Sequence, residues 1–189
     1  MKGFVRSHLE AALCGLSCLL CPMELEGRCP GCGGGAGNQS CAIARCSLAH
    51  GGVEYCCACG AYPCERHEAV EEYDSFVTHQ NRLQNLRRIS EQGLEPFCRE
   101  LVRKRELLER LLARYNDGRR KTLYCTAVNL LPLEDVEAAV DTLERSFREE
   151  EPEKERAARA AALLQDMARR RGIQARLRRK PGKQSSGTV

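Results

Sequence analysis

Eleven of the thirteen cysteines in this 189-residue chain stand between Cys14 and Cys64, and their gaps are those of metal ligands. In order they read Cys14-x3-Cys18-x2-Cys21, Cys29-x2-Cys32, Cys41-x4-Cys46, Cys56-Cys57-x-Cys59 and Cys64. Two thiolates separated by two residues on a tight turn can face one cation from two corners of a tetrahedron, and a second pair completes four ligands. One such pair is weak. Several in succession, with Pro22, Pro30, Gly31, Gly33, Gly60 and Pro63 beside them to permit the turns, point to metal. Eleven is also an odd number, awkward for a closed disulfide framework, and in a reducing compartment clustered thiols are ligands more often than disulfides.

The candidate ligands are Cys14, Cys18, Cys21, Cys29, Cys32, Cys41, Cys46, Cys56, Cys59 and Cys64, with Cys57 set aside because adjacent cysteines rarely serve one ion. Two four-thiolate sites use eight of these ten. The other two are left to packing, to a resolving thiol pair or to a third ion shared with His50 or His67. The pairing stays open. Structural zinc is the first expectation, and an iron–sulfur cluster is the alternative, since four thiolates suit both. Cys98 and Cys125, on helical stretches, are expected as buried apolar thiols.

Other chemistries find less support. The Cys14-x3-Cys18-x2-Cys21 spacing also occurs in radical enzymes that cleave S-adenosylmethionine, but those need a run of strand–helix units that this chain lacks. Thiol–disulfide exchange at a Cys-x2-Cys pair needs a βαβ scaffold for a thioredoxin-like site, which is equally missing. His8, His50, His67 and His79 are scattered, with no Ser/His/Asp or nucleotide-binding pattern. An enzyme is therefore not expected. Thr78-His79-Gln80-Asn81 forms a polar cluster in which His79 reads as an interhelical hydrogen-bonding group.

The elements that must position these residues divide into three stretches: a cysteine-rich metal-binding module over 1–65, an α-helical bundle region over 66–150, and a charged helix with a basic disordered tail over 151–189. The first holds most of the glycine and shows no sustained period, so it buries too little apolar surface to offset its chain entropy without a staple. Beyond Glu65 apolar residues recur at intervals of three and four. Val70, Tyr73, Phe76, Val77, Leu83, Leu86 and Ile89 predict one helix ending near Gly93. Pro96 then opens another, with Phe97, Leu101, Val102, Leu108, Leu111, Leu112 and Tyr115 inward. Asn116-Asp117-Gly118 turns the chain, an apolar segment follows from Leu123 to Leu131, and Pro132 starts a helix with Val136, Val140, Leu143 and Phe147 on one face. The helix predicted from Glu153 to Arg171 shows only Ala157, Ala161, Leu164 and Met167 along its face, so weak packing, or a role in recruiting a protein partner, is expected there. The fold class is a small metal-stapled cysteine-rich module plus an all-α helical region, with no parallel sheet.

Charge is divided unevenly. The formal net charge is +4, yet residues 151–189 alone carry 11 basic and 4 acidic groups. Such a tail could meet nucleic acid through its phosphates, although no aromatic interleaving accompanies it. The stretch Leu9–Leu20 is too short to cross a bilayer and has no cleavage pattern, which leads to the expectation of a cytoplasmic protein without membrane association.

Taken together, Cys14-Gly15-Leu16-Ser17-Cys18-Leu19-Leu20-Cys21-Pro22, Gly27-Arg28-Cys29-Pro30-Gly31-Cys32, the Cys41/Cys46 pair, Cys56-x2-Cys59 and Tyr62-Pro63-Cys64-Glu65 resemble the cysteine-rich proteins grouped as domain of unknown function 3795. The resemblance continues through Thr78-His79-Gln80-Asn81 and Gly118-Arg119-Arg120-Lys121, covering roughly residues 8 to 145. That family belongs to bacteria and archaea, many of them anaerobes, and has no established activity. The resemblance implies bound metal without naming a reaction; the anaerobic setting favours iron–sulfur, and Cys57 is additional to the family's pattern. The expected function is a metal-binding protein with structural zinc, an interaction or adaptor module. The alternatives are an iron–sulfur electron-transfer or thiol-redox protein, and a nucleic-acid-associated protein.

Overall fold

The computed structural model describes residues 3–35, 41–70 and 73–180. Among these residues all regular structure is helical, and there is no strand or sheet. The α-helices are α1 (Pro22–Leu25), α2 (Ala42–Ala49), α3 (Arg82–Gln92), α4 (Leu94–Arg114), α5 (Lys121–Leu130), α6 (Leu133–Arg145) and α7 (Glu153–Arg170), with single 3-10 turns at Cys18–Leu20, Cys56–Ala58 and Glu65–Val70.

The long helix α4 is the axis of the fold and packs on α3, α5, α6, α7 and the Cys18–Leu20 turn. Its sequence explains the role: Phe97, Leu101, Leu108 and Leu111 recur at helical spacing and are buried, each leucine contributing about 1.5–3 kcal/mol over exposure. The outer face carries Glu95–Arg99, Arg103–Glu106 and Arg105–Glu109 pairs one turn apart. Val102, expected inward, falls on this outer face and is exposed.

The helix expected over Val70–Ile89 is shorter than the apolar pattern suggests. It starts at Arg82, leaving Phe76 outside it and 65% exposed, and Leu83 falls on its outer face, 40% exposed. Polar side chains capture the backbone upstream: Asp74 Oδ1 accepts from His79 N at 2.8 Å and Thr78 Oγ1 accepts from Gln80 N at 3.3 Å. Such local bonds compete with the helical ladder. The helix ends as expected, Gly93 taking φ of +87° to turn the chain into α4.

The last helix corrects a second expectation. Ala157, Ala160, Ala161, Leu164 and Ala168 are all buried, and α7 lies against α5 and α6. Small side chains let the helices approach closely, so a face poor in large apolar residues still packs. The Tyr124 hydroxyl, buried in α5, donates to the Tyr115 carbonyl at 2.6 Å and the Ala157 carbonyl at 3.1 Å, tying α7 to the α4–α5 turn.

Part of the basic tail is docked. Asp74 accepts from Arg178 N at 2.8 Å and from Arg178 Nη2 at 3.0 Å, while Gln80 Nε2 donates to the Arg176 carbonyl at 3.1 Å. Disorder was expected of this tail; residues 173–180 instead lie along the entrance to α3, and the Ser/Gly end over 181–189 is outside the described residues.

The cysteine-rich stretch does not stand apart from the bundle. Leu13 and Leu20 are buried in the same continuous apolar core as α3–α7. Arg105 Nη1 donates to the Leu19 carbonyl at 2.7 Å and pairs with Glu24, and Lys121 Nζ meets Glu26 at 2.7 Å.

Candidate metal centre

All thirteen cysteines carry free thiols. The short helices and turns gather the ten candidate ligands into two groups. Cys46 on α2, Cys56 and Cys59 around the 3-10 turn, and Cys64 just before Glu65–Val70 line one small pocket with Ile43, Val53, Tyr62, His50 and His67. The Cys56 thiol is pushed up to about 12, first by burial and then by the neighbouring sulfurs of Cys14, Cys64 and Cys46. Cys57 does not line the pocket.

The second group is Cys14, Cys18, Cys21, Cys29, Cys32 and Cys41. Cys14 feels the sulfurs of Cys32 and Cys41, Cys18 those of Cys32, Cys14 and Cys21, and Cys21 that of Cys29. Burial is the largest influence on Cys14, raising it to about 11, and it also raises Cys18, Cys21 and Cys32. Backbone N–H groups oppose it. Leu16 donates toward the Cys14 sulfur, Cys32 toward Cys18, Met23 and Glu24 toward Cys21, and Leu13 toward Cys32. Amides aimed at sulfur favour the anionic form, and they tune thiolates bound to metal.

Two buried arginines stand beside the groups. Arg82 is fully buried; its Nη1 donates to His67 Nδ1 at 2.5 Å and its Nη2 to the His67 carbonyl at 2.6 Å, and its charge reaches the Cys14 sulfur. Arg6 donates through Nη1 to the Ala11 carbonyl at 2.7 Å and the Cys32 carbonyl at 3.0 Å, and it also acts on the Cys32 thiol. Two buried guanidinium groups thus stand beside the clustered thiols, and their positive charge favours the thiolate form of Cys14 and Cys32.

The loop between Cys14 and Cys18 is set by α3. Asn85 Nδ2 donates to the Gly15 carbonyl at 2.8 Å and to Ser17 Oγ at 3.2 Å, and Cys56 N donates to the Leu13 carbonyl at 2.9 Å, joining the two groups. Sequence reasoning passed over Arg6, Arg82 and Asn85. Arg82 and Asn85 follow directly on the polar cluster at 78–81, and that continuation was the available signal; nothing marked Arg6. Within the cluster, His79 sits in the loop before α3 with Nε2 at 3.0 Å from Ser75 Oγ, and it is Asn81 that reaches across to Asn129, at 2.9 Å.

With zinc–sulfur bonds of about 2.3 Å, tetrahedral sulfurs stand about 3.8 Å apart. Among the described residues no three thiol sulfurs lie within 4.8 Å of one another; the trio of donor groups that does is His8, Glu10 and Cys98. No family model, curated protein or solved structure matches the chain, and no described helix is long and apolar enough to cross a membrane.

Proposed function

We propose that this chain is a metal–thiolate protein of the type its resemblance to domain of unknown function 3795 implies, and that Cys46, Cys56, Cys59 and Cys64 hold an iron–sulfur cluster. The observation that carries this reading is the pocket these four thiols line together, among apolar walls from Ile43, Val53 and Tyr62. A multi-iron cluster takes each thiolate on a different iron, so its ligands are spread, and apolar walls shield it from water. Structural zinc, first from spacing alone, is the rival occupant.

The group at Cys14, Cys18, Cys21, Cys29, Cys32 and Cys41 supplies more than four thiols for a second centre, with amides and Arg6 and Arg82 supporting thiolate charge. A cluster so placed serves electron transfer or redox-dependent structure. The nucleic-acid alternative has less to stand on, because Arg171 and Arg178 already pair with Asp135 and Asp74.

The test is metal and sulfide analysis of anaerobically purified protein with its visible spectrum. A brown sample absorbing near roughly 400 nm, with iron and acid-labile sulfide that fall on Cys59→Ser, is expected. A colourless sample with stoichiometric zinc and no iron would overturn the cluster.

A further inference from the structure

Away from both cysteine groups, the N-terminal segment and α4 bring together three different ligand types. The donor atoms of His8, Glu10 and Cys98 all lie within 4.8 Å of one another. His8 Nδ1 and Glu10 Oε2 are 3.9 Å apart, too far for a hydrogen bond. With metal–donor bonds of about 2.0–2.3 Å, tetrahedral ligands stand about 3.3–3.8 Å apart. The three groups thus need only a few tenths of an ångström to over one ångström of closure around a common ion.

A second observation concerns Glu10. Its Oε2 is buried and has no hydrogen-bond partner. A carboxylate oxygen shielded from water with only the Cys98 thiol beside it as a weak donor is poorly stabilised, and a cation between it and the Cys98 sulfur removes that cost. Cys98, 8% exposed, was expected to be an inert apolar thiol; it faces the Glu10 carboxylate and the Tyr55 hydroxyl instead. The three groups line one surface groove rimmed by Arg99 and Arg103, which leaves the fourth corner of a tetrahedron toward solvent.

We propose that His8, Glu10 and Cys98 form a mononuclear site for a borderline divalent cation of the zinc type, with nitrogen, oxygen and sulfur ligands and one position open to water or a small anion. Three protein ligands and an open corner are the arrangement of zinc sites that act on a bound molecule, in contrast to closed structural sites. Imidazole, carboxylate and thiolate together select zinc or cobalt over calcium or magnesium. Tyr55 and Arg6 back the site: the Arg6 guanidinium lies 4.6 Å above the Tyr55 ring, and the same guanidinium donates to the Cys32 carbonyl. This site does not depend on what the other cysteines bind.

Native mass spectrometry of the full, tag-free chain, purified anaerobically and titrated with zinc, tests it. Wild-type protein is expected to carry one ion more than His8→Ala and one more than Glu10→Gln. Both side chains are partly exposed, so neither change disturbs the core, and circular dichroism checks that. Cobalt titration should show a thiolate-to-cobalt absorption that Cys98→Ser removes while Cys59→Ser leaves it in place. Equal zinc counts in wild type and His8→Ala overturn the site whatever Cys59→Ser does, whereas loss of one ion in His8→Ala that Cys59→Ser does not reproduce supports it.

Discussion

Gly15 shows how tightly single positions are fixed around the cysteines. It adopts φ of +91°, and a Cβ placed on it would lie 2.4 Å from the Arg82 carbonyl oxygen. Gly15→Ala therefore combines a left-handed backbone with a collision against helix backbone that cannot swing away, and a loss of more than about 2 kcal/mol is expected in denaturant unfolding. Cys57→Ser, outside the pocket, should leave metal content unchanged by elemental analysis. Candidate ligands were legible because thiol spacing follows from the geometry of coordination. Their grouping was not: Cys46 joins Cys56, Cys59 and Cys64 through turns whose directions no spacing encodes. Arg6 and Arg82 were hidden for a related reason, since a charged residue reads as solvated until the fold buries it.

Among the elements, α4 and α6 followed their apolar period except at Val102 and Phe147, which are exposed, while the loop before α3 was decided by polar side chains that outbid the helix for backbone groups. The clasp between Asp74 and Arg178 makes that loop testable by pH. Burial raises the Asp74 carboxyl, but hydrogen bonds from the Arg178 side chain and backbone and from His79 N outweigh it, so its folded pKa is lowered. A depressed folded value means the clasp stabilises fully above the unfolded carboxylate value of about 3.9 and is lost as pH falls through the folded one. Thermal melts of Asp74→Asn should lie below wild type at pH 6, with the gap closing as pH drops below about 4. Hydrogen exchange on residues 173–180 should quicken in the same variant. The alanine face of α7 was misread because a hydrophobic pattern weighs size, whereas close helix packing rewards its absence. Ala161→Leu should accordingly overpack the α7 contact and cost about 1–3 kcal/mol.

For the molecule as a whole, one continuous core joins the cysteine-rich stretch to the bundle, so the boundary expected at residue 65 marks a change of composition more than a change of body. Stripping metal with a chelator under reducing conditions should raise hydrogen exchange over 8–67 first. Helices α4 to α7, held by leucine, alanine and Tyr124 contacts of their own, should keep their protection. A front third that keeps full protection without metal would mean the core alone holds it.

The link from Arg105 to the Leu19 carbonyl has a consequence for how the protein is made. Synthesis at roughly 5–20 residues per second leaves about 2–8 s between the appearance of Cys64 and that of Arg105. During that interval the sulfurs have left the ribosome without the helix against which their turns are braced. Any metal loaded in that window would meet a pliable cradle, and metal loaded afterwards a shaped one, so the order of loading and folding would decide which sulfurs stay exposed to oxidants and for how long.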